Sequence, residues 1–303
     1  MAGPRVGGSF LRWVERCNAG GRAGLVPLRL GAGAGAVAGY LRPEFAERLG
    51  GMGGAFALEG GGTAGAELRL AGRLQVAPLE EASEAVGRTM AELRDLGVIS
   101  GWRDELYPIS AAFHEEPLLL LERAAVPFFG VQAYGVHVCA FVRDAGGGLS
   151  MWVARRSLDK PTWPGMLDHL VAGGQPHGIS PGDNVVKECM EEANVAEDLA
   201  RHAVPAGAVS YEYLQDEGLK RDVLFCYDLE LPASFEPSNN DGEVAEFMLW
   251  PIEQVMRTIA ETDEFKPNCN LVIIDFLIRH GCITPDHPEY LELVNRLRSG
   301  DCS

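Results

Sequence analysis

Between Ala172 and Val195 a glycine-bearing loop runs directly into a capped, acidic helix, and this junction constrains the chain more than any other stretch. Ser180 is a good N-cap, Pro181 suits the first helical position, and Asp183 stands where a capping-box acid reaches back. Asn194 tolerates the left-handed conformation that ends a helix. The helix these signals predict is about 13 residues long, near the average. Within it Glu188, Glu191 and Glu192 fall at i, i+3 and i+4 and so share one face. Like charges so spaced cost roughly 0.2–0.5 kcal/mol per pair, which Lys187 offsets only in part. A solvated acidic face is the bland account, and for the helix alone it is the better one. Two features favour a site instead. A hard divalent cation such as Mg²⁺ (or Mn²⁺) would turn the repulsion into coordination. Gly173, Gly174 and Gly178, just ahead of the cap, would let the backbone approach a ligand closely.

The charge balance of 26 basic against 43 acidic residues leaves the chain at −17. Such a surface repels phosphate backbones and argues against nucleic-acid polymers as partners. A small phosphorylated metabolite remains compatible, because one metal ion reverses the local sign. The seven cysteines stand singly, with no C-x-x-C pair, as expected of reduced intracellular thiols rather than a disulfide frame or zinc site. No apolar run is long enough to span a membrane. The N-terminus lacks an apolar signal core. It is acid-poor and carries Arg5 and Arg12, so cytoplasm is the expected location and a weak organellar address stays open.

Length suggests one large or two ordinary domains. Gly31 to Ala38 and Gly50 to Gly65 are Gly/Ala-rich and read as loops. Phe10, Leu11, Trp13 and Val14 suit a short helix. Leu79 to Leu96 predicts a longer one, with Val86, Met90, Leu93 and Leu96 on its apolar face and Gly97 after its end. Residues 1–126 are therefore expected to form a small α+β accessory domain. From Ala133 strands alternate with helices. Strands are predicted at Tyr134–Val142, Leu149–Arg156, Ala206–Leu214, Val223–Leu231 and Val244–Trp250. Helices are predicted at Ile252–Glu261, Cys269–His280 and Pro288–Leu297. Residues 127–303 thus read as an α/β domain with a mixed sheet.

The Ala172–Val195 stretch resembles the Nudix box, G-x5-E-x7-R-E-U-x-E-E-x-G-U. Gly173 matches the first Gly, Lys187 the Arg, Glu188 the next Glu, Glu191 and Glu192 the paired glutamates, and Val195 the last aliphatic. Ile179 replaces the early Glu, Lys187 keeps the Arg charge, and Asn194 replaces the late Gly with a residue of similar conformational freedom. Further stretches are similar to the Nudix branch associated with thiamine pyrophosphokinases. These include Gly101–Tyr107, Trp152–Ser157, Trp163–Asp168, Leu219–Phe225 and Phe265–Asn268. That similarity runs from Phe10 across nearly the whole chain, so a long cleavable leader is not expected.

The resemblance implies an α/β/α sandwich and a Mg²⁺-dependent hydrolase in which water attacks a diphosphate phosphorus. Glu188, Glu191 and Glu192 are the expected metal ligands, with Glu188, Glu192 and Glu243 as catalytic carboxylates. Glu243 comes from Asp241–Glu246, which supplies acids ahead of a strand and reads equally well as a turn. Arg155 or Arg156 is expected to face substrate phosphate, since alternation turns only one of them inward. Gly173 and Gly174 are expected against the substrate, and Lys187 is structural within the box. Trp102, with Phe128 and Phe129, could stack on a substrate ring, although such aromatics are more often core. The expected substrate is thiamine diphosphate or an oxidised form of it. An ordinary or oxidised nucleoside di- or triphosphate such as 8-oxo-dGDP is the alternative. An isopentenyl-diphosphate isomerase is disfavoured, and a non-catalytic binding module ranks last because the glutamate cluster is intact.

Overall fold

The computed structural model describes residues 8–33, 35–60, 65–160, 162–240 and 242–300, so Arg5, Asp241 and Cys302 lie outside the described residues. The first part of the chain contains α1 (Leu11–Cys17), β1 (Val26–Leu30), β2 (Ala36–Leu41), α2 (Pro43–Met52), β3 (Phe56–Glu59), β4 (Glu67–Leu70), α3 (Leu79–Asp95), β5 (Leu106–Ile109), β6 (Leu119–Glu122) and α4 (Val126–Phe129). The second contains β7 (Gln132–Arg143), β8 (Leu149–Arg156), β9 (Leu167–His169), β10 (Val171–Gly174), α5 (Pro181–Ala193), α6 (Glu197–Ala200), β11 (Val204–Leu214), β12 (Leu219–Glu230), β13 (Val244–Pro251), α7 (Ile252–Glu261), α8 (Pro267–Arg279) and α9 (Tyr290–Arg296).

The N-terminal sheet has the order β2-β1-β4-β3 and shares a core with α2 and α3, while β5 and β6 form a separate antiparallel ribbon. Two glycine-rich stretches are more ordered than composition suggests. Ala36–Ala38 opens β2, Gly50–Met52 closes α2, and Phe56–Glu59 is β3, paired with β4 and anchored by the buried Phe56. Residues 61–64 of the second stretch lie outside the described residues. Cross-strand pairing, which composition does not report, sets the two strands. On α3, Val86, Met90 and Leu93 are buried, but Leu96 is 67% exposed because the chain turns away at Gly97, whose φ is +72°.

The second sheet is mixed: β11-β12-β7-β8-β13, with β10 on β7 and β9 on β8. β12 runs parallel to β7 and the other pairings are antiparallel. Alternation along β7 separates two apolar layers. Val136, Val138 and Ala140 pack on the α5 side with Val185, Cys189 and Ala193. Cys139 and Phe141 pack on the other side with α7, α8 and α9. The result is the expected α/β/α sandwich. Helix α1 joins the second of these layers: Trp13 is buried there and its indole Nε1 donates to the Ile259 carbonyl at 2.7 Å. The Glu289 carboxylate accepts from Ser9 Oγ and from the Phe10 and Leu11 amides, which fastens the start of α1 to the C-terminal helices.

Candidate active site

Helix α5 has the predicted bounds and caps. Ser180 Oγ accepts from the Asp183 amide and bonds to the Asp183 carboxylate at 2.7 Å, and Asn194 ends the helix at φ +51°. Cys189 is wholly buried against the sheet, so the acidic positions fall along the margins of the packed face. Glu192 Oε2 accepts from the Ala172 amide of β10 at 2.9 Å. Glu188 lies over Gly173, where any Cβ would collide with its carboxyl group. Lys187 Nζ donates to Glu188 Oε1 at 3.1 Å and to Glu191 Oε2 at 2.8 Å. Glu188 is nearly buried, with 12% of its side chain exposed, whereas Glu191 is open at 51%.

Burial raises the Glu192 pKa well above the ordinary carboxylate range, against the lowering effect of the Ala172 amide, and Glu188, Asp168 and Glu243 raise it further. Burial also raises Glu188, with Lys187 opposing. Glu243 behaves in the opposite way: burial would raise it, but the Lys160 ammonium outweighs that and holds it low. The Glu243 carbonyl accepts from the Ser157 amide at 2.9 Å, which ties this acid to the end of β8. Glu192 therefore sits in the field of three other carboxylates, an arrangement that favours a bound cation.

The box carboxylates take different partners. Lys187 draws Glu188 and Glu191 together, and Glu192 folds onto β10. Among the described residues, the one group of three whose ligand atoms lie within 4.8 Å of one another is His137, His169 and Cys269. All three are buried. His137 Nδ1 and His169 Nδ1 stand 3.1 Å apart, with one ring carrying the proton, and the Cys269 thiol donates to Asp168. Asp168 also receives Arg156 at 2.9 Å and Lys266 at 3.4 Å. Two cations thus already flank this group. The all-oxygen set at Glu188, Glu191 and Glu192 fits a hard divalent ion better.

Arg156 is the more buried of the two adjacent arginines, at 14% against 36% for Arg155. Besides Asp168 it donates to the Thr162 and Trp163 carbonyls. Arg155 donates to the Gly165 carbonyl and lies 3.8 Å from Glu246. Trp102 is held within the N-terminal part, its Nε1 donating to Asp104 at 2.7 Å and Arg94 lying 4.8 Å over the ring. Arg94 thus covers one face of the ring. Phe129 is fully buried and, with the half-buried Phe128, packs on Phe45, so both rings belong to the N-terminal core.

Sequence reasoning missed two sets of residues. Asn184 is fully buried on α5, where its Nδ2 donates to the Gly174 carbonyl at 2.7 Å and to Gln175 Oε1. Gln175 in turn donates to the Ile179 carbonyl at 2.6 Å, so the two amides hold the glycine loop in shape. An amide on the apolar face of a helix was the available signal. Tyr107 within β5 and Arg123 just after β6 reach Gly174 from the N-terminal part. Tyr107 closes the Gly101–Tyr107 stretch that carries part of the resemblance, but nothing local points it or Arg123 at Gly174.

The sandwich and a glutamate helix behind a glycine strand define a Nudix fold. Residues 133–269 match the model of the NUDIX domain. Residues 9–133 match a domain of unknown function, DUF4743. Nudix hydrolase 20, chloroplastic, of Arabidopsis thaliana is 53% identical over 74% of this chain and 60% of its own length. Nudix hydrolase 24, chloroplastic, of the same plant is 50% identical over 74% of this chain and 61% of its own. The chain thus spans about three fifths of the length of these relatives. An isopentenyl-diphosphate Delta-isomerase of Klebsiella pneumoniae (strain 342) is 25% identical over 54% of this chain and 92% of its own.

Proposed function

We propose that this chain is a Mg²⁺-dependent pyrophosphohydrolase that cleaves the diphosphate of thiamine diphosphate, or of an oxidised form of it, to the monophosphate. The observation that carries the reaction class is Glu192, a largely buried carboxylate in the field of Glu188, Glu243 and Asp168 beside Gly173 and Gly174. Glu188 and Glu192 would hold the metal, with Glu191 as third ligand once Lys187 yields. The ion would supply Lewis-acid charge neutralisation at the diphosphate oxygens. The chain's own residues do the rest. Gly173 lets the Glu188 carboxyl seat against β10 beside Glu192, and Arg156, at the end of β8, would have to share Asp168 with a phosphate to meet it. The attacking water gives its proton to a carboxylate flanking Glu192, either Glu188 or Glu243. The choice of thiamine rests on the likeness to the thiamine-associated branch, which extends through the N-terminal residues. An oxidised nucleoside diphosphate is the alternative substrate.

No helix among the described residues is long and apolar enough to cross a membrane. The described cysteines are all unpaired, which supports a reducing compartment, either cytoplasm or the plastid named for the Arabidopsis relatives.

The test is a panel of diphosphates incubated with purified protein, with and without Mg²⁺, and products identified by mass. Glu192→Gln preserves size and removes a charged ligand. It is expected to lower kcat at least about a hundredfold and to weaken Mn²⁺ binding. Wild-type turnover by Glu192→Gln at saturating metal would show that the site is wrongly placed.

A further inference from the structure

The N-terminal part does more than sit beside the sandwich. The Leu106 carbonyl of β5 accepts from the His177 amide of the glycine loop at 3.1 Å. Phe113, from the loop joining β5 and β6, packs against Tyr134 and Phe225 of the second sheet with centroids 4.7 and 4.8 Å away. The Tyr107 hydroxyl fills the space over Gly174 in which a side chain would otherwise lie, and Arg123 Cζ is 3.3 Å from that same point. The neighbouring glycine, Gly173, carries Glu188 in the equivalent position. Arg123 and Glu188 thus lie against adjacent residues of β10, on its two faces, and each lies in the other's field across the strand.

The distribution of charge singles Arg123 out. Lys187 is divided between Glu188 and Glu191. Arg156 is largely buried and donates to Asp168 and two carbonyls. Arg123 donates to Glu105 at 2.7 Å, and 43% of its side chain is open to solvent. A guanidinium has five N–H donors in a fork suited to phosphate, so one ion pair leaves capacity for a second anion.

We propose that Arg123, delivered by the N-terminal part, is a substrate-binding residue that pairs a phosphate of the diphosphate held at Glu188 and Glu192. This rests on the pyrophosphohydrolase reading for its substrate class. The N-terminal part then belongs to the active site, and the sandwich alone would not bind a diphosphate normally.

The experiment uses the full chain with Arg123→Gln and Arg123→Lys, and with Arg143→Gln as a control for net charge on the far β7–β8 turn. KM and kcat are measured on the best substrate of the panel. Calorimetry with imidodiphosphate and Mg²⁺ reads binding without turnover, and Mn²⁺ titration reads the metal site. In Arg123→Gln, KM and the imidodiphosphate Kd should rise about tenfold to a hundredfold, as expected for a lost charge-assisted bond, with kcat within about threefold. Mn²⁺ affinity should not change, and Arg143→Gln should match wild type. Arg123→Lys keeps charge but loses the fork, so a rise of about three- to tenfold is expected. If Arg123→Gln does not fold, that variant decides the matter. Imidodiphosphate affinity within twofold of wild type in the folded variants would overturn the proposal, as would an equal loss in Arg143→Gln. A wild-type protein that bound imidodiphosphate through Arg123 yet cleaved no diphosphate would refute the hydrolase reading and leave this one standing.

Discussion

Gly174→Ala tests the contact between the two parts of the chain with a single methyl group. The added Cβ would overlap the Tyr107 hydroxyl and lie 2.8 Å from Tyr107 Cζ, where ordinary contact begins near 3.4 Å. Tyr107 is only 6% exposed and its ring belongs to the N-terminal core, so it has little room to recede. Overpacking of this kind costs about 1–3 kcal/mol, and overlap with a buried hydroxyl places Gly174→Ala near the upper end. In the Tyr107→Phe background the overlapping atom is gone and Cζ remains about 0.6 Å short of ordinary contact, so the cost should fall to about 1 kcal/mol. A double-mutant cycle should therefore return a coupling of about 2 kcal/mol between Gly174 and Tyr107.

The measurement is urea denaturation of the four proteins, read as shifts in midpoint at constant slope. Gly178→Ala is the control, because Gly178 has φ +86° and nothing near its absent Cβ. It should lose about 1–2 kcal/mol from backbone strain alone and show no coupling to Tyr107→Phe. A loss below about 1 kcal/mol in Gly174→Ala, or a coupling below about 0.5 kcal/mol, would refute the packing of Tyr107 on the glycine strand.

Three further outcomes are expected. Incubation with isopentenyl diphosphate should yield no allylic isomer: Ala172 stands where isomerases of this fold carry a catalytic Cys, and Cys189 is fully buried on the packed face of α5. Detection of that isomer would reverse the exclusion. Asp228 links β12 to α8 through Arg279 and His280, and these bonds outweigh the effect of burial to hold its pKa below the ordinary range. Such an acid stabilises the fold above its unfolded-state pKa of about 3.9 and loses that contribution as pH falls through its folded value. Wild type should thus exceed Asp228→Asn by about 1–3 kcal/mol at pH 5 and by clearly less near pH 3, and a gap independent of pH would contradict the assignment. An oxidised thiamine diphosphate should be cut with higher kcat/KM than any common nucleoside triphosphate, and a clear preference for an oxidised guanine nucleotide would sink the thiamine reading alone.

The residues that could be read from sequence and those that could not differ in how far their partners lie along the chain. Ser180, Pro181, Asn194 and the three glutamates act within one helix, where capping and i, i+3, i+4 spacing follow from the backbone alone. Strand alternation likewise anticipated that one of Arg155 and Arg156 turns inward, and Arg156 does so. The strand at Phe56–Glu59 was hidden because its stability comes from pairing with Glu67–Leu70 across a glycine-rich connection. Phe128 and Phe129 show the opposite failure. Aromatic character marks a residue as valuable to bury without saying against what, and both rings went to the N-terminal core instead of a substrate pocket. Tyr107 and Arg123 escaped notice for a related reason. Tyr107 stood in a stretch that carried the resemblance and Arg123 in none, but neither carries a periodicity that shows its partner, which appears only when the β5–β6 ribbon is laid over Gly174. The glycine pair was the one legible half of that contact. Gly173 and Gly174 were expected to let a ligand approach, and in the folded chain Glu188 approaches one and Tyr107 with Arg123 the other. An acid brought by the box helix and a base brought by the N-terminal part thus border two adjacent glycines, one on each face of β10.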